Sequence, residues 1–357
     1  MAAVAMNNKV DQKMRVWALL GSHRGDNNQV LALAEALGMQ FEEKWLHYNQ
    51  LSHLQPGLLG ATLKSVAADA RAQLEGDPPD LTISTGHRSV PVVRALRKRS
   101  GGIMRAVHLG NPRISPSNFD LVIPTPEYPV PDALNVLRIP FALSPHGARE
   151  IKQSDRDFLS AYPRPHRLLL IGGPTIYWQL SVEELVRATR RLVEAAKETG
   201  GSVIAVGSPR SPAELLAAVK STLETSSAPF LFAPLEGPPA YAAMIQAADE
   251  IYVTADSVAM VADAVLTRKP VGILPLSKSR LGWLVMAAAD RLRPGKRLFP
   301  RDLRFFWASL EEHGFGGTIE RPRVSNPPDF TAETARRVRR LFEPSPGQAR
   351  AVRDSAR

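Results

Sequence analysis

Residues 250–274 read EIYVTADSVAMVADAVLTRKPVGIL, and this stretch decides the fold class. Glu250–Thr254 is an apolar run of strand length. A short polar turn follows, then a helical stretch, Val258–Thr267, and a second strand-like run, Pro270–Leu274. Strand, crossover helix and strand make a βαβ unit, which joins parallel strands. Strands buried on both faces carry continuous Val, Ile and Leu rather than alternating polarity, and these runs do.

The alternation extends in the N-terminal direction. It predicts a strand at Arg167–Ile171, a helix at Val182–Glu198 with Ser181 as N-cap, and a strand at Ser202–Val206. A helix at Pro212–Leu223 starts on proline, where the missing N–H does no harm. A short strand at Phe230–Phe232 and a helix at Pro239–Ala248 complete this series. In the first half, strands are predicted at Arg15–Leu20, Asp80–Ser84, Met104–Leu109 and Asp120–Ile123. Helices are predicted at Asn28–Leu37, Gly57–Leu74 and Ser89–Lys98. The class is α/β, with two Rossmann-like halves built on parallel sheets.

Pro, Gly and charge interrupt the pattern at Ala142–Pro165. The predicted organisation is an N-terminal extension (1–14), a first domain (15–145), a linker (146–165), a second domain (166–325) and a basic tail (326–357). The tail is predicted helical over Thr331–Phe342 and disordered beyond Glu343.

The 357 residues suit two domains, and 44% hydrophobic with 22% charged residues suits two buried cores. The absence of cysteine excludes disulfides, thiolate-bound zinc and a thiol nucleophile. The N-terminus lacks the pattern of a secretory signal, and the apolar run Leu281–Ala289 is too short to span a bilayer. A cytoplasmic protein is expected.

The net charge of +10 is local. Residues 278–304 carry eight Lys/Arg against Asp290 and Asp302, and residues 331–357 carry seven Arg against three acids. Without a recognition motif or interleaved aromatics, nucleic acid is not the expected partner. The stretch Lys278–Arg304 suits peripheral contact with anionic lipid at the cytoplasmic membrane face, or simply a solvated basic face. Its amphipathic part holds Trp283, Leu284 and Met286. That apolar face is expected to pack inward and leave the Arg/Lys rim free.

Ligands of open α/β sheets bind beyond the C-terminal ends of the strands, so the turns after strands hold the candidate residues. After EIYVT come Thr254, Asp256, Ser257, Met260 and Asp263. Asp256 or Ser257 is placed to cap the following helix, whose first amides would meet a phosphate. Asp263 is placed to accept hydrogen bonds from ribose hydroxyls. The plainer reading is that two residues cap and Asp263 faces solvent. Gly172-Gly173-Pro174 allows close backbone approach to a phosphate, or is an ordinary turn. Ser208 and Arg210 offer a hydroxyl and a guanidinium for a diphosphate.

In the first half, Gly21, His23, Arg24, Gly25, Asp26 and Asn28 crowd the loop after the first strand. His87 and Arg88 follow another strand, and Arg113 lies in a third turn. His23, Asp26 and His87 are the general acid/base candidates. The first loop is neither a Walker A loop nor a Gly-x-Gly-x-x-Gly turn, no Gly-x-Ser-x-Gly elbow is present, and no His/Asp/Glu set has metal-ligand spacing.

Four segments together resemble one family: LLGSHRGDNNQVLALAEALG, NPRISPSNFDLVI, IGGP and VTADSVAMVADAVLTRKPVGILPL. It is the family of plant elongated-mitochondria fission proteins and their bacterial homologues. The resemblance spans about residues 15 to 325. It implies a GT-B-like architecture, two Rossmann-like domains facing a cleft, and a glycosyltransferase that moves a sugar from a nucleotide-sugar to an acceptor. A lipid or glycolipid acceptor, no cofactor and no metal requirement go with it.

The donor would sit on the second domain, at the residues named from its turns. The first domain would hold the acceptor or a phosphate on Gly21, Arg24, Gly25, Asn28, Arg88 and Arg113. TADSVAMVAD is also similar to the donor-binding stretch of GT-B transferases and sugar-nucleotide 2-epimerases. There a Ser-Gly-Gly turn precedes a helix bearing a ribose-binding Glu. Ser257 matches that Ser and Asp263 that Glu, while Val258 and Ala259 replace the glycines. The plant relatives imply an alternative, a non-catalytic adaptor for a dynamin-like partner. A sugar-nucleotide epimerase or hydrolase is a third reading.

Overall fold

The computed structural model describes residues 14–145, 151–234, 236–292 and 294–343. Almost all of the predicted N-terminal extension, residues 146–150 of the predicted linker, Arg293 and the tail beyond Glu343 lie outside the described residues. The chain forms two compact units. Among the described residues, the first comprises those up to Pro124, Val130–Ile139 and those from Asp329; the second comprises Thr125–Pro129 and those from Pro140 to Pro328.

The first unit carries β1 (Val16–Leu20), β2 (Phe41–Trp45), β3 (Leu81–Thr85), β4 (Arg105–Leu109) and β5 (Leu121–Ile123). They form one parallel sheet in the order β2-β1-β3-β4-β5. β1 is buried along its whole length, as its VWALL sequence requires of a strand covered on both faces. β2 has no counterpart in the sequence prediction. Its FEEKW sequence is half-buried to exposed at the sheet edge, so it lacks an apolar run.

The second unit carries β6 (His166–Leu170), β7 (Trp178–Gln179), β8 (Ser202–Val206), β9 (Phe230–Ala233), β10 (Glu250–Thr254), β11 (Pro270–Leu274), β12 (Ser277–Lys278) and β13 (Arg323–Val324). Its six-stranded sheet has the order β13-β11-β10-β6-β8-β9 and is parallel except for β13. β7 and β12 form a small antiparallel pair. The amphipathic helix Val182–Thr199 buries Leu185, Leu192 and Ala196 against Leu169, Val203 and Ala205 of the sheet. Ser181 caps its start and Gly200, left-handed at φ 69°, ends it.

Three sequence expectations are corrected. The helix predicted over Gly57–Leu74 is two short helices, Pro56–Leu59 and Ala68–Ala72. Gly60, at φ 66°, ends the first, and the Thr62 amide is drawn off to the Pro91 carbonyl. The predicted linker contains the helix Gln153–Ser160, which belongs to the second unit; its Asp155 accepts from the Ala240 amide. The helix predicted over Thr331–Phe342 is present as Phe330–Arg339 with a 3-10 turn at Arg340–Phe342, and it packs on the first-unit helix Arg24–Ala36. Arg339 donates to the carbonyls of Ala36 and Leu37 at 2.9 and 2.8 Å. The amphipathic stretch forms the helix Arg280–Leu292, which buries only Gly282 and Met286. Leu281, Trp283 and Leu284 face outward, so the predicted inward packing holds for Met286 but not for Trp283 or Leu284.

Candidate active site

In each sheet, two neighbouring strands send their following connections in opposite directions. In the first these are β1 and β3; in the second, β6 and β10. Strand-end loops diverge at such a point and leave a crevice for ligand.

At the β1/β3 point the crevice is open. A cavity of about 140 Å³ is lined by Gly21, Ser22, His23 and Asp26 after β1, and by Gly86, His87 and Arg88 after β3. Leu19, Asn27, Tyr48 and Thr85 complete the wall. All three acid/base candidates and two of the predicted acceptor residues, Gly21 and Arg88, therefore meet in one space. The volume is below the roughly 300 Å³ at which whole-ligand sites begin, so it suits one sugar ring or one phosphate.

Asn27 shapes the first loop. Its buried side chain accepts from the Gly21 amide and donates to the Gly21 carbonyl, both at 2.8 Å. His23 stands at the N-cap of the helix Arg24–Ala36 without making a side-chain cap bond, and its Nδ1 lies 3.2 Å from Ser22 Oγ. Asp26 lies in the first turn, where the helix dipole favours a carboxylate. The second loop turns on Gly86 at φ 71°, a left-handed conformation that favours glycine.

Burial pulls the His87 imidazole down to about 4, helped by the charges of Arg113, Arg88 and His53. The ring is neutral at pH 7. Burial pushes the Tyr48 phenol up, against the opposing charge of Arg88, so it keeps its proton. Arg113 reaches His87 through its charge without lining the cavity; its left-handed backbone, φ 57°, is held by the Asn111 side chain. Arg24, Gly25 and Asn28 belong to the helix and do not line the cavity.

At the β6/β10 point the crevice is filled by the protein itself. The Gly172 amide donates to Thr254 Oγ1 at 2.8 Å and the Gly173 amide to Asp256 Oδ2 at 2.9 Å. Thr254 donates to the other Asp256 oxygen at 2.6 Å, and Arg210 pairs with this fully buried carboxylate at 2.9 Å. A Cβ on Gly172 would overlap the Asp256 carboxylate, and one on Gly173 the Arg210 carbonyl. The two glycines thus make room for the protein's own groups. Pro174 is exposed beyond them. Ser208 gives its amide to Ser211 Oγ at 2.8 Å, which knits this loop to the end of β6 through the Ile171 and Gly172 carbonyls.

Ser257 caps the helix Val258–Leu266 by accepting from the Met260 amide. The amides of Val258 and Ala259, first in that helix, have no partner among the described residues. Arg301 reaches the Asp256 carbonyl at 3.4 Å, while its Nε is buried without a partner. Asp263 accepts from Ser144 at 2.6 Å and from Tyr241 at 3.0 Å. Burial, then the charge of Asp263, pushes the Tyr241 phenol far up.

Sequence context alone does not flag Asn27, Tyr48, Tyr241 or Arg301. Asn27 sits within the polar loop already singled out, but its clamp on Gly21 appears only in three dimensions. Among the described residues no group of three or more His, Cys, Asp or Glu is placed to hold a metal ion.

The architecture has known counterparts. The UDP-GlcNAc 2-epimerase of Methanocaldococcus jannaschii superposes with a TM-score of 0.52 at 12% identity, over 92% of this chain and 100% of that one. The UDP-GlcNAc 2-epimerase of Neisseria meningitidis gives 0.50 at 12% identity, over 92% and 99%. At such identity the likeness shows the fold alone: GT-B-like α/β, with two Rossmann-like units. No curated protein matches the sequence. The family described as Mitochondrial fission ELM1 matches residues 24–342. With that match spanning most of its length, this chain belongs to the Mitochondrial fission ELM1 family.

Proposed function

We propose that the protein is a glycosyltransferase that moves a sugar from a nucleotide-sugar to the hydroxyl of an acceptor. The observation that carries this reading is the open cavity at the β1/β3 point, where His23, Asp26 and neutral His87 converge. The solved Neisseria relative, whose fold this chain shares, is bound to UDP-GlcNAc, which supports a nucleotide-sugar as donor.

The roles divide by chemistry. An imidazole pulled down to about 4 binds a proton weakly, so His87 orients the acceptor by accepting its hydrogen bond. Proton removal falls to His23 or Asp26 on the facing loop. The acceptor oxygen then bonds to the sugar's anomeric carbon, the bond from that carbon to the phosphate oxygen breaks, and the nucleoside diphosphate leaves. Arg210, Arg301 and the Val258 and Ala259 amides would neutralise it, with Asp256 positioning Arg210. No metal ion is called upon.

The test is thermal stabilisation by UDP-, GDP-, CMP- and dTDP-sugars. One of them is expected to raise the melting temperature, with the shift lost in Arg210→Ala and Arg301→Ala. Turnover that needs no acceptor would favour the epimerase or hydrolase. A second reading, the non-catalytic adaptor, is favoured by the self-filled β6/β10 crevice. There Asp256 takes the Gly173 amide, and Asp263 is already held by two hydroxyls. Absence of stabilisation by every nucleotide-sugar would decide for it.

A further inference from the structure

The helix Arg280–Leu292 presents a face that no described residue covers. Only Gly282 and Met286 are buried. Gly282 presses so closely on the Tyr177 carbonyl that a Cβ has no room, which anchors the helix on one side. Opposite that anchor, Leu281, Leu284 and Leu292 follow the i, i+3, i+11 spacing of one apolar stripe. They are 51%, 61% and 77% exposed. Trp283, 63% exposed, stands beside the stripe.

The patch continues past the helix. Ser279, just before it, is tied to the carbonyls of Tyr177 and Ile176, and the Tyr177 hydroxyl donates to the Phe299 carbonyl at 2.6 Å. Ile176 and Phe299 are themselves exposed.

The charge around this patch is one-sided. Lys278, Arg280, Arg291 and Lys296 are exposed and have no side-chain partner among the described residues. The only acid on the helix, Asp290, is neutralised by Arg304 at 2.9 Å. Leucines in water cost free energy, and unpaired cations at their margin select what covers them. A convex helix with an apolar stripe, a flanking Trp and a basic rim fits the headgroup boundary of an anionic bilayer. No helix among the described residues is long and apolar enough to cross one.

We infer that the second unit docks on anionic lipid membranes through the helix Arg280–Leu292, its leucine stripe entering the acyl boundary and its cations pairing with lipid phosphates. The inference does not depend on the reaction proposed above.

The test is co-sedimentation of the full chain with phosphatidylcholine vesicles containing about one-third phosphatidylglycerol, against pure phosphatidylcholine. Binding is expected only to the anionic vesicles, falling as salt rises. Leu284→Asp and Leu281→Asp lie on the exposed face, so the melting temperature should not move, while binding should drop by about tenfold for each. Arg280→Ala with Arg291→Ala should weaken binding and flatten its salt dependence. Three results would each overturn the inference: no binding to anionic vesicles, binding indifferent to the aspartates, or a dimer in light scattering that those aspartates abolish, which would assign the face to a second copy of the chain.

Discussion

The two switch points are the same device with opposite contents. At β1/β3 the loops stand apart around a cavity, and the glycine beside it, Gly21, has room for a Cβ at 3.8 Å from Tyr48. At β6/β10 the loops are sewn together by Asp256, and a Cβ on either glycine would overlap the protein's own groups. A glycine-rich turn at a strand end therefore admits a ligand onto the glycines themselves only where the protein leaves that space unfilled. The open point carries ionisable side chains suited to proton transfer. The filled one carries a braced carboxylate that fixes Arg210.

The largest expected contrast is kinetic. His23→Ala or Asp26→Ala should lower turnover roughly 10²- to 10⁴-fold with only a small change in melting temperature, as expected for loss of a general base. If both variants keep full activity, the open point is not where chemistry occurs. The next contrast is in stability. Asp256→Ala strips a buried hub of its amide, hydroxyl and guanidinium partners and should cost on the order of 3 kcal/mol in urea unfolding. Asn27→Ala at the open point removes a neutral clamp and should cost about half as much.

A finer test compares glycines. Gly173→Ala should destabilise by about 1–3 kcal/mol through overlap, whereas Gly21→Ala should stay within about 0.5 kcal/mol. Equal effects would remove the distinction between a filled and an open crevice.

The smallest effect is a titration. The His87 ring should titrate near 4 by NMR, and in Arg113→Gln its midpoint should move up toward the ordinary 6.5. Burial also holds His108 near 3, so both imidazoles bind protons more readily in the unfolded chain. Stability should be level above pH 6.5 and fall as the pH drops from there through about 4. Denaturant midpoints that are equal at pH 7 and pH 5 would contradict this.

The βαβ alternation was legible because strands buried on both faces are apolar throughout, as IYV and VGIL are. β2 was not, since an edge strand such as FEEKW carries no such run. The loops after β1 and β3 were legible as polar turns, but their meeting depends on strand order, which no local pattern encodes. The filled crevice was illegible for a related reason. Gly172 and Gly173 read the same whether a phosphate or Asp256 approaches them. The outward face of the Arg280 helix was misjudged because amphipathicity locates a stripe without saying what lies against it.

The helix Phe330–Arg339 has a consequence for how the protein is made. Its Arg339 holds the end of the helix Arg24–Ala36, 303 residues earlier, the same helix that carries His23 and Asp26 at its other end. At a translation rate of about 5–20 residues per second, the first half waits roughly 15–60 s on the ribosome before this late-arriving brace is synthesised. A nascent chain halted before Asp329 should therefore expose the outer surface of the Arg24–Ala36 helix to protease, and release of the completed chain should protect it.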